Sequence, residues 1–410
     1  MTGLIARRPI VAPALLLALA ACPAPEPPKK PTPPPPTSGV VPPPHDVSTV
    51  PVPPTTGGER PPTEAPPKIT WKRVEHATDV PTTPPPVGTY RIHLIDVGTG
   101  LAILVQGHDF NLLYDGGTND AGEKPLRVVS YLAAALGASG DDLCVPKGSH
   151  APKGRKPLDH VVLSHPHADH GSALDLVVHC YDVKNVWDSG RVNDAVFYRD
   201  FIEAVAKSTT ATYHTALDVP ENHEQTVKGE AIHIERWKSF RESDVVELGA
   251  HAQFTILHAE GKKLPDPNQN SVVISMMLGN ARLLLVGDSE SGERLDPSSP
   301  TGDVEQFLVE QHAADIKADI LQVGHHGSKT SSRHDFIAAV KPHLALVSSG
   351  PKLYGKVRLP DAEVIEALES VGATILRTDE HDDSCAVTHR IGADSGPGGC
   401  DSYLITVSPP

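Results

Sequence analysis

The chain has 410 residues, with 36 basic and 51 acidic side chains and a formal net charge of −15. No apolar run reaches the roughly 20 residues that a spanning helix needs, which excludes a multi-span membrane protein. The negative balance excludes a protein that coats nucleic acid by general basicity, but not a local cationic site.

Residues 1–21 read as an export signal. Arg7 and Arg8 precede an apolar run over 10–21, too short to cross a bilayer and suited to a signal core. The run ends Leu19-Ala20-Ala21-Cys22, which resembles a bacterial lipobox. That resemblance implies a lipid on Cys22 and a membrane-anchored lipoprotein of a bacterial cell envelope, in the periplasm or at the cell surface. The alternative is an ordinary cleaved signal with an incidental cysteine. Residues 22–87 are rich in proline: 25 of the 41 prolines lie in the first 86 residues. Such a stretch cannot bury enough apolar surface to offset chain entropy, so it is predicted to be a disordered linker. Fully extended, at about 3.1 Å per residue, it would reach on the order of 200 Å.

Residues 88–410 are long enough to bury a sizeable core. Strands are expected over 90–97, 101–106 and 111–115, an antiparallel start. A helix follows over 125–136, with apolar residues on one face and Gly137 as its stop. Residues 139–156 read as an inserted polar loop holding the basic group Lys147, Lys153, Arg155 and Lys156. A buried strand over 160–164 and a short helix over 172–179 come next. Later strands are expected over 254–258, 271–278, 282–286, 320–323, 344–348 and 374–377. Helices fit over 303–315, 334–340 and 361–371. This order suggests sheets covered by helices in layers. An exported chain permits disulfides. Of the three pairings open to Cys144, Cys180, Cys385 and Cys400, we favour Cys144–Cys180 and Cys385–Cys400. The first would tie the insertion to a helix end and the second would close a short loop.

The strongest chemical signal is Ser164-His165-Pro166-His167-Ala168-Asp169-His170-Gly171, directly after a strand. Residues two apart in an extended segment project to one side. His165 and His167 can therefore bind one cation, and Asp169 and His170 a second at the turn into the helix. Imidazole and carboxylate suit zinc, manganese or iron. Two other apolar strands end in similar groups: 283–286 leads to Gly287-Asp288, and 320–323 leads to Gly324-His325-His326-Gly327.

These motifs resemble the metallo-β-lactamase superfamily. With 94–100, Tyr114-Asp115-Gly116-Gly117, 323–332 and Arg377-Thr378-Asp379, the set is similar to the soluble domain of ComEC-type competence proteins. The match runs from about residue 90 to 379. It implies an α/β fold, a four-layer αββα sandwich with a binuclear site along one edge of the two sheets. It implies two divalent metal ions, zinc or manganese. His165 and His167 would hold one, Asp169, His170 and His326 the other, and Asp288 would bridge them. Asp115 and Asp96 would stand behind the ligands and orient them. A third ligand for the first metal is sought among His258, Asn268 and Asn270, the two asparagines also being candidates for substrate contact.

A divalent metal makes a nucleophilic water available at neutral pH, and Asp169 would position it. His325, Ser328 and Lys329 are candidate substrate contacts. The small donors and the cation of 327–332 suit a phosphate, while the same serines and threonine could cap the helix over 334–340. The reading is an exported metal-dependent hydrolase acting on a phosphodiester, with DNA among the candidate partners. Rival readings are the same fold acting on a carboxylic ester, thioester or lactone, and a tethered binding protein without turnover. No oligomer is predicted.

Overall fold

The computed structural model describes residues 66–392 and 394–409. The export signal, Cys22 and the linker as far as residue 65 lie outside the described residues.

The first half of the fold holds β1 (Lys68–Val74), β2 (Tyr90–Leu94), β3 (Ile103–Gln106), β4 (Asn111–Tyr114), α1 (Arg127–Leu136), β5 (Pro157–Leu163), α2 (Ala168–Gly171), α3 (Leu174–Cys180), β6 (Asp182–Asp188), α4 (Val196–Lys207), β7 (Thr212–Thr215), β8 (Glu224–Val227), β9 (Glu230–His233) and β10 (Trp237–Ser239). The second half holds β11 (Val245–Gly249), β12 (Ala252–His258), β13 (Val273–Leu278), β14 (Ala281–Leu285), α5 (Asp303–Gln311), β15 (Ile320–Gln322), α6 (His334–Val340), β16 (Leu344–Val347), β17 (Leu353–Tyr354), β18 (Val357–Arg358), α7 (Ala362–Ser370), β19 (Thr374–Arg377) and β20 (Ser402–Ser408).

One sheet has nine strands in the order β1-β20-β2-β3-β4-β5-β6-β7-β10, the other seven in the order β11-β12-β13-β14-β15-β16-β19. Each begins antiparallel and turns parallel part-way, at β4–β5 in one and β14–β15 in the other. Side chains alternate between the two faces of each strand. Leu283 and Leu285 of β14 therefore meet the opposite sheet, while Leu284 meets the helices α5, α6 and α7. Leu344 and Leu346 of β16 repeat this against Ala345 and Val347. On the other side, Leu113 and Val161 face α1, α3 and α4. The result is the four-layer αββα sandwich expected from the sequence.

The helices follow from their apolar spacing. α1 buries Val128, Val129, Leu132 and Ala135, and α7 buries Val364, Ala367 and Leu368, one face in each case. Gly137, at φ 93°, ends α1. Cys144 pairs with Cys180, and Cys385 with Cys400.

One expectation needs correction, and the place of one loop is set by the sheet. The linker does not run to residue 87: Lys68–Val74 is strand β1, paired along its whole length with β20. The basic insertion does not border the strand ends that carry the histidines. It joins the start of β5, where Pro157 lies opposite Asp182 of β6, while His165 follows the far end of β5. Seven residues of strand separate the two ends, roughly 20 Å. Arg155 is also engaged there, donating to the carbonyls of Val178 and Tyr181.

Candidate metal centre

Parallel strands bring their carboxyl ends to one edge, where open α/β sheets place their sites. Asp115 follows β4, His165 follows β5, Asp288 follows β14, and His325 and His326 follow β15. Local backbone shape does the aiming. Asp115, His325 and His326 have φ of 58°, 47° and 55°, a left-handed conformation that L residues seldom adopt and that costs energy when they do. Gly117 is required for a different reason: a Cβ there would lie 2.4 Å from the His170 backbone nitrogen. Its bareness lets α2 seat against the strand ends.

The carboxylate of Asp288 is the centre of the cluster. Its Oδ2 lies 3.1 Å from His170 Nε2, 3.7 Å from His326 Nε2, 3.9 Å from His165 Nε2 and 3.8 Å from His325 Nε2. Asp169 Oδ2 lies 3.7 Å from His326 Nε2. His167 joins through His165, with Nδ1 and Nε2 3.0 Å apart. Donor atoms of His165, His170 and Asp288 lie within 4.8 Å of one another, as do those of Asp169, His170 and His326. Seven residues that span over 160 positions thus meet in one place.

Buried polar atoms here lack hydrogen-bond partners: Asp288 Oδ1, His170 Nε2 and His326 Nε2. Orphans of this kind are rare in folded proteins. Their chemistry, imidazole nitrogen and carboxylate oxygen converging on a shared volume, fits divalent cations.

Charge explains the titration of the group. Burial works to raise the Asp288 carboxyl, but the charges of His170, His326 and His325 overrule it and hold it well below the usual range. Burial likewise opposes, and nearby His326 and His170 impose, a lowered Asp169. Burial alone would lower His170, yet Asp288 and Asp115 raise it well above its ordinary value. Burial keeps His165 and His167 low, in the neutral form that a metal requires. Asp115 stands behind the cluster. Its Oδ2 accepts from His170 Nδ1 at 2.8 Å and from Ser164 Oγ at 2.7 Å, and its Oδ1 accepts from Ser164 N at 2.7 Å.

Other expected site residues lie elsewhere or are otherwise engaged. Asp96 does not touch the ligands. It accepts from the backbone N–H groups of Gly98, Gly399 and Asp401, and so ties the C-terminal segment to the end of β2. His258 hydrogen-bonds through Nδ1 to the Ser271 carbonyl at 2.9 Å and packs on Phe307; it belongs to neither donor cluster. Asn270 braces a loop by donating to the Glu260 and Lys262 carbonyls. Asn268 is buried, with Oδ1 unpartnered. Ser328 is buried inside its own loop, accepting from Arg294 Nη1 and Thr330 N. Lys329 pairs with Glu363 at 2.6 Å, which removes the free cation expected for phosphate. The capping alternative also fails in part, since the N-cap of α6 is Arg333 and makes no side-chain cap. His325 remains at the site. Its Nδ1 is held by Glu290 and by Thr330 Oγ1. Burial opposes its protonation, but Asp288 and Glu290 raise it to about 9.

Three contributors were not among the expected site residues. Asn119 Nδ2 and the Tyr354 hydroxyl both donate to Asp169 Oδ2, at 2.7 and 3.0 Å, and Glu290 holds His325. Each comes from a loop or a short hairpin without a repeating pattern.

A model of the metallo-beta-lactamase superfamily matches residues 95–350. The chain belongs to that superfamily. Within it, the chain is 26% identical over 293 residues to ComE operon protein 3 of Bacillus subtilis, covering 71% of this chain and 32% of that protein. It is 28% identical over 284 residues to Competence protein ComA of Neisseria gonorrhoeae, covering 69% and 30%. The chain thus spans about a third of the length of these relatives, and the resemblance to ComEC-type proteins holds over this domain. Among solved structures, the metallo-beta-lactamase fold protein YhfI from Bacillus subtilis aligns with a TM-score of 0.38 at 13% identity, covering 70% of this chain and 95% of that one. Among the described residues, no helix is long and apolar enough to cross a membrane.

Proposed function

We propose that this superfamily member is an exported, envelope-anchored, metal-dependent hydrolase acting on a phosphodiester. The observation that carries the reading is the convergence of His165, His170, His325 and His326 on Asp288 Oδ2, with Asp169 alongside. Two divalent cations held by His165, His167, Asp169, His170, His326 and Asp288 would supply Lewis acidity and a nucleophilic water at neutral pH. Asp169 orients the attacking group by accepting a hydrogen bond from it. His325, fixed by Glu290, faces the same volume and is placed to donate to the substrate. Asp115 keeps His170 in one tautomer and orientation.

Support for an anionic substrate comes from the hairpin β17–β18 rather than from Lys329. Lys352 and Lys356 are exposed there, next to Tyr354, which reaches Asp169. Lys352 Nζ lies 5.4 Å from the Tyr354 ring centroid. Cations on this rim favour a phosphodiester over a neutral ester. The two disulfides suit an exported chain, as does the signal-like start.

The test uses the full chain loaded with zinc or manganese and a panel of bis(p-nitrophenyl) phosphate, single-stranded DNA, p-nitrophenyl acetate, a thioester and a lactone. Metal-dependent phosphodiester turnover that His170→Ala abolishes is the expected result. Turnover confined to esters or lactones would replace phosphodiester by the ester reading. Metal uptake without turnover on any substrate would leave a tethered binding protein.

A further inference from the structure

We propose that Asn119 and Tyr354 are positioning residues of the metal centre, jointly fixing the Oδ2 of Asp169. This rests on the metal-site reading above.

The backbone of Asp169 is already pinned, since its carbonyl accepts from Leu101 N at 2.9 Å. Its side chain would still turn about χ2. Two donors from separate loops prevent that turn. Asn119 Nδ2 donates at 2.7 Å and Tyr354 Oη at 3.0 Å, both to Oδ2. The same oxygen faces His326 Nε2, 3.7 Å away. Both donors hang from one residue: Asn119 N donates to the Thr99 carbonyl at 2.7 Å, and Lys352 N, at the foot of the Tyr354 hairpin, donates to Thr99 Oγ1 at 3.1 Å. The hairpin's far strand is fixed by Arg358 against Asp382 at 3.1 Å. Thr99 therefore sets the spacing of two donors that converge on a single ligand atom.

Hydrogen-bond partners behind a ligand fix its orientation, and their loss typically weakens metal affinity 10- to 100-fold. Only the cation held by Asp169, His170 and His326 should feel this loss. The cation at His165 and His167 should not.

The experiment titrates the metal-free full chain with Co(II), following the ligand-field absorbance. The wild type should take two equivalents. In Tyr354→Phe and Asn119→Ala one equivalent should bind as in the wild type, and the other roughly 10- to 100-fold more weakly. Their kcat should fall with KM nearly unchanged. Leu353→Ala, on the exposed face of the same hairpin, is the control and should bind both equivalents normally. Circular dichroism and Tm confirm folding, and Tyr354→Phe keeps the ring, so it serves if Asn119→Ala does not fold. Affinities for both equivalents in Tyr354→Phe within twofold of the wild type overturn the proposal while leaving the metal site standing. A wild type that takes up no Co(II) overturns both.

Discussion

Asp115 and His170 face each other in full burial, with Oδ2 and Nδ1 2.8 Å apart. The contact leaves only Nε2 of that ring free to ligate. Asp115→Asn keeps the shape but replaces one acceptor oxygen by a donor, against a ring nitrogen and the Ser164 donors. We expect metal affinity to fall roughly 10- to 100-fold, measured by competition with a chromophoric chelator. Unchanged affinity would remove Asp115 from the metal centre.

Asp169→Asn tests the hydrogen-bond acceptor. The amide is a weaker hydrogen-bond acceptor for an attacking water and a weaker ligand than the carboxylate, and turnover should drop by at least about a hundredfold. Folding should survive, because the residue sits in the short helix α2, beyond the end of β5, and not in one of the three apolar clusters. A variant with full kcat would move the acceptor role elsewhere.

Two lysines near the site should behave differently. Lys329 is neutralised by Glu363, so Lys329→Ala should leave hydrolysis of a phosphodiester within about twofold, a small effect for a screened pair of this kind. Lys356 is exposed on the hairpin rim. Lys356→Ala should raise KM for an anionic substrate several-fold, and its effect should shrink as salt rises. Equal effects of the two substitutions would remove the rim from substrate binding.

Stability should depend on pH through Asp96 and Asp382. Burial raises the Asp96 carboxyl to about 6, and burial together with the Asp96 charge raises Asp382 to about 7, despite Arg358. Asp382 Oδ1 is buried without a hydrogen-bond partner, so no hydrogen bond to that oxygen favours the ionised form. Both groups titrate near 3.8 when free. Through these two groups the folded chain binds more protons than the unfolded one between about pH 4 and 7, and their contribution to stability is lost as pH rises through that window. Asp382→Asn should flatten the decline in Tm from pH 5 to 7.5 relative to the wild type. Parallel curves would show that Asp382 is ionised throughout.

Much of the site was legible because its ligands follow apolar strands. His165, Asp288 and His326 each stand just past a run of Val, Leu or Ile, and such a run marks both a buried strand and its end. The layered fold was legible for the same reason. Loop residues were not. Lys329 looked free because its partner Glu363 lies 34 residues away on α7, a distance that no local pattern bridges. Asp96 read as a ligand support through the resemblance of residues 94–100, yet its partners are backbone N–H groups of residues 98, 399 and 401. β1 was hidden by its own composition: Lys-Ile-Thr-Trp-Lys-Arg-Val leaves most positions exposed, as an edge strand does. The region from β6 to β11 was missed as well, β6 breaking its apolar pattern with Lys184 and Asn185, the strands from β7 to β11 being short and mostly polar, and α4 lacking a cap signal.

β20 lies between β1 and β2, and this fixes when the larger sheet can be completed. Ser408 Oγ reaches the carbonyl of Lys68, 340 residues earlier. During synthesis, the partner of both flanking strands is made last. Until it arrives, β2 offers an open row of N–H and C=O groups beside the apolar side chains of Tyr90, Ile92 and Leu94. An edge of that kind recruits other chains. A chain that stops at Asp379 would keep every metal ligand named above and still lack its seam, so its fate should be association with its own copies.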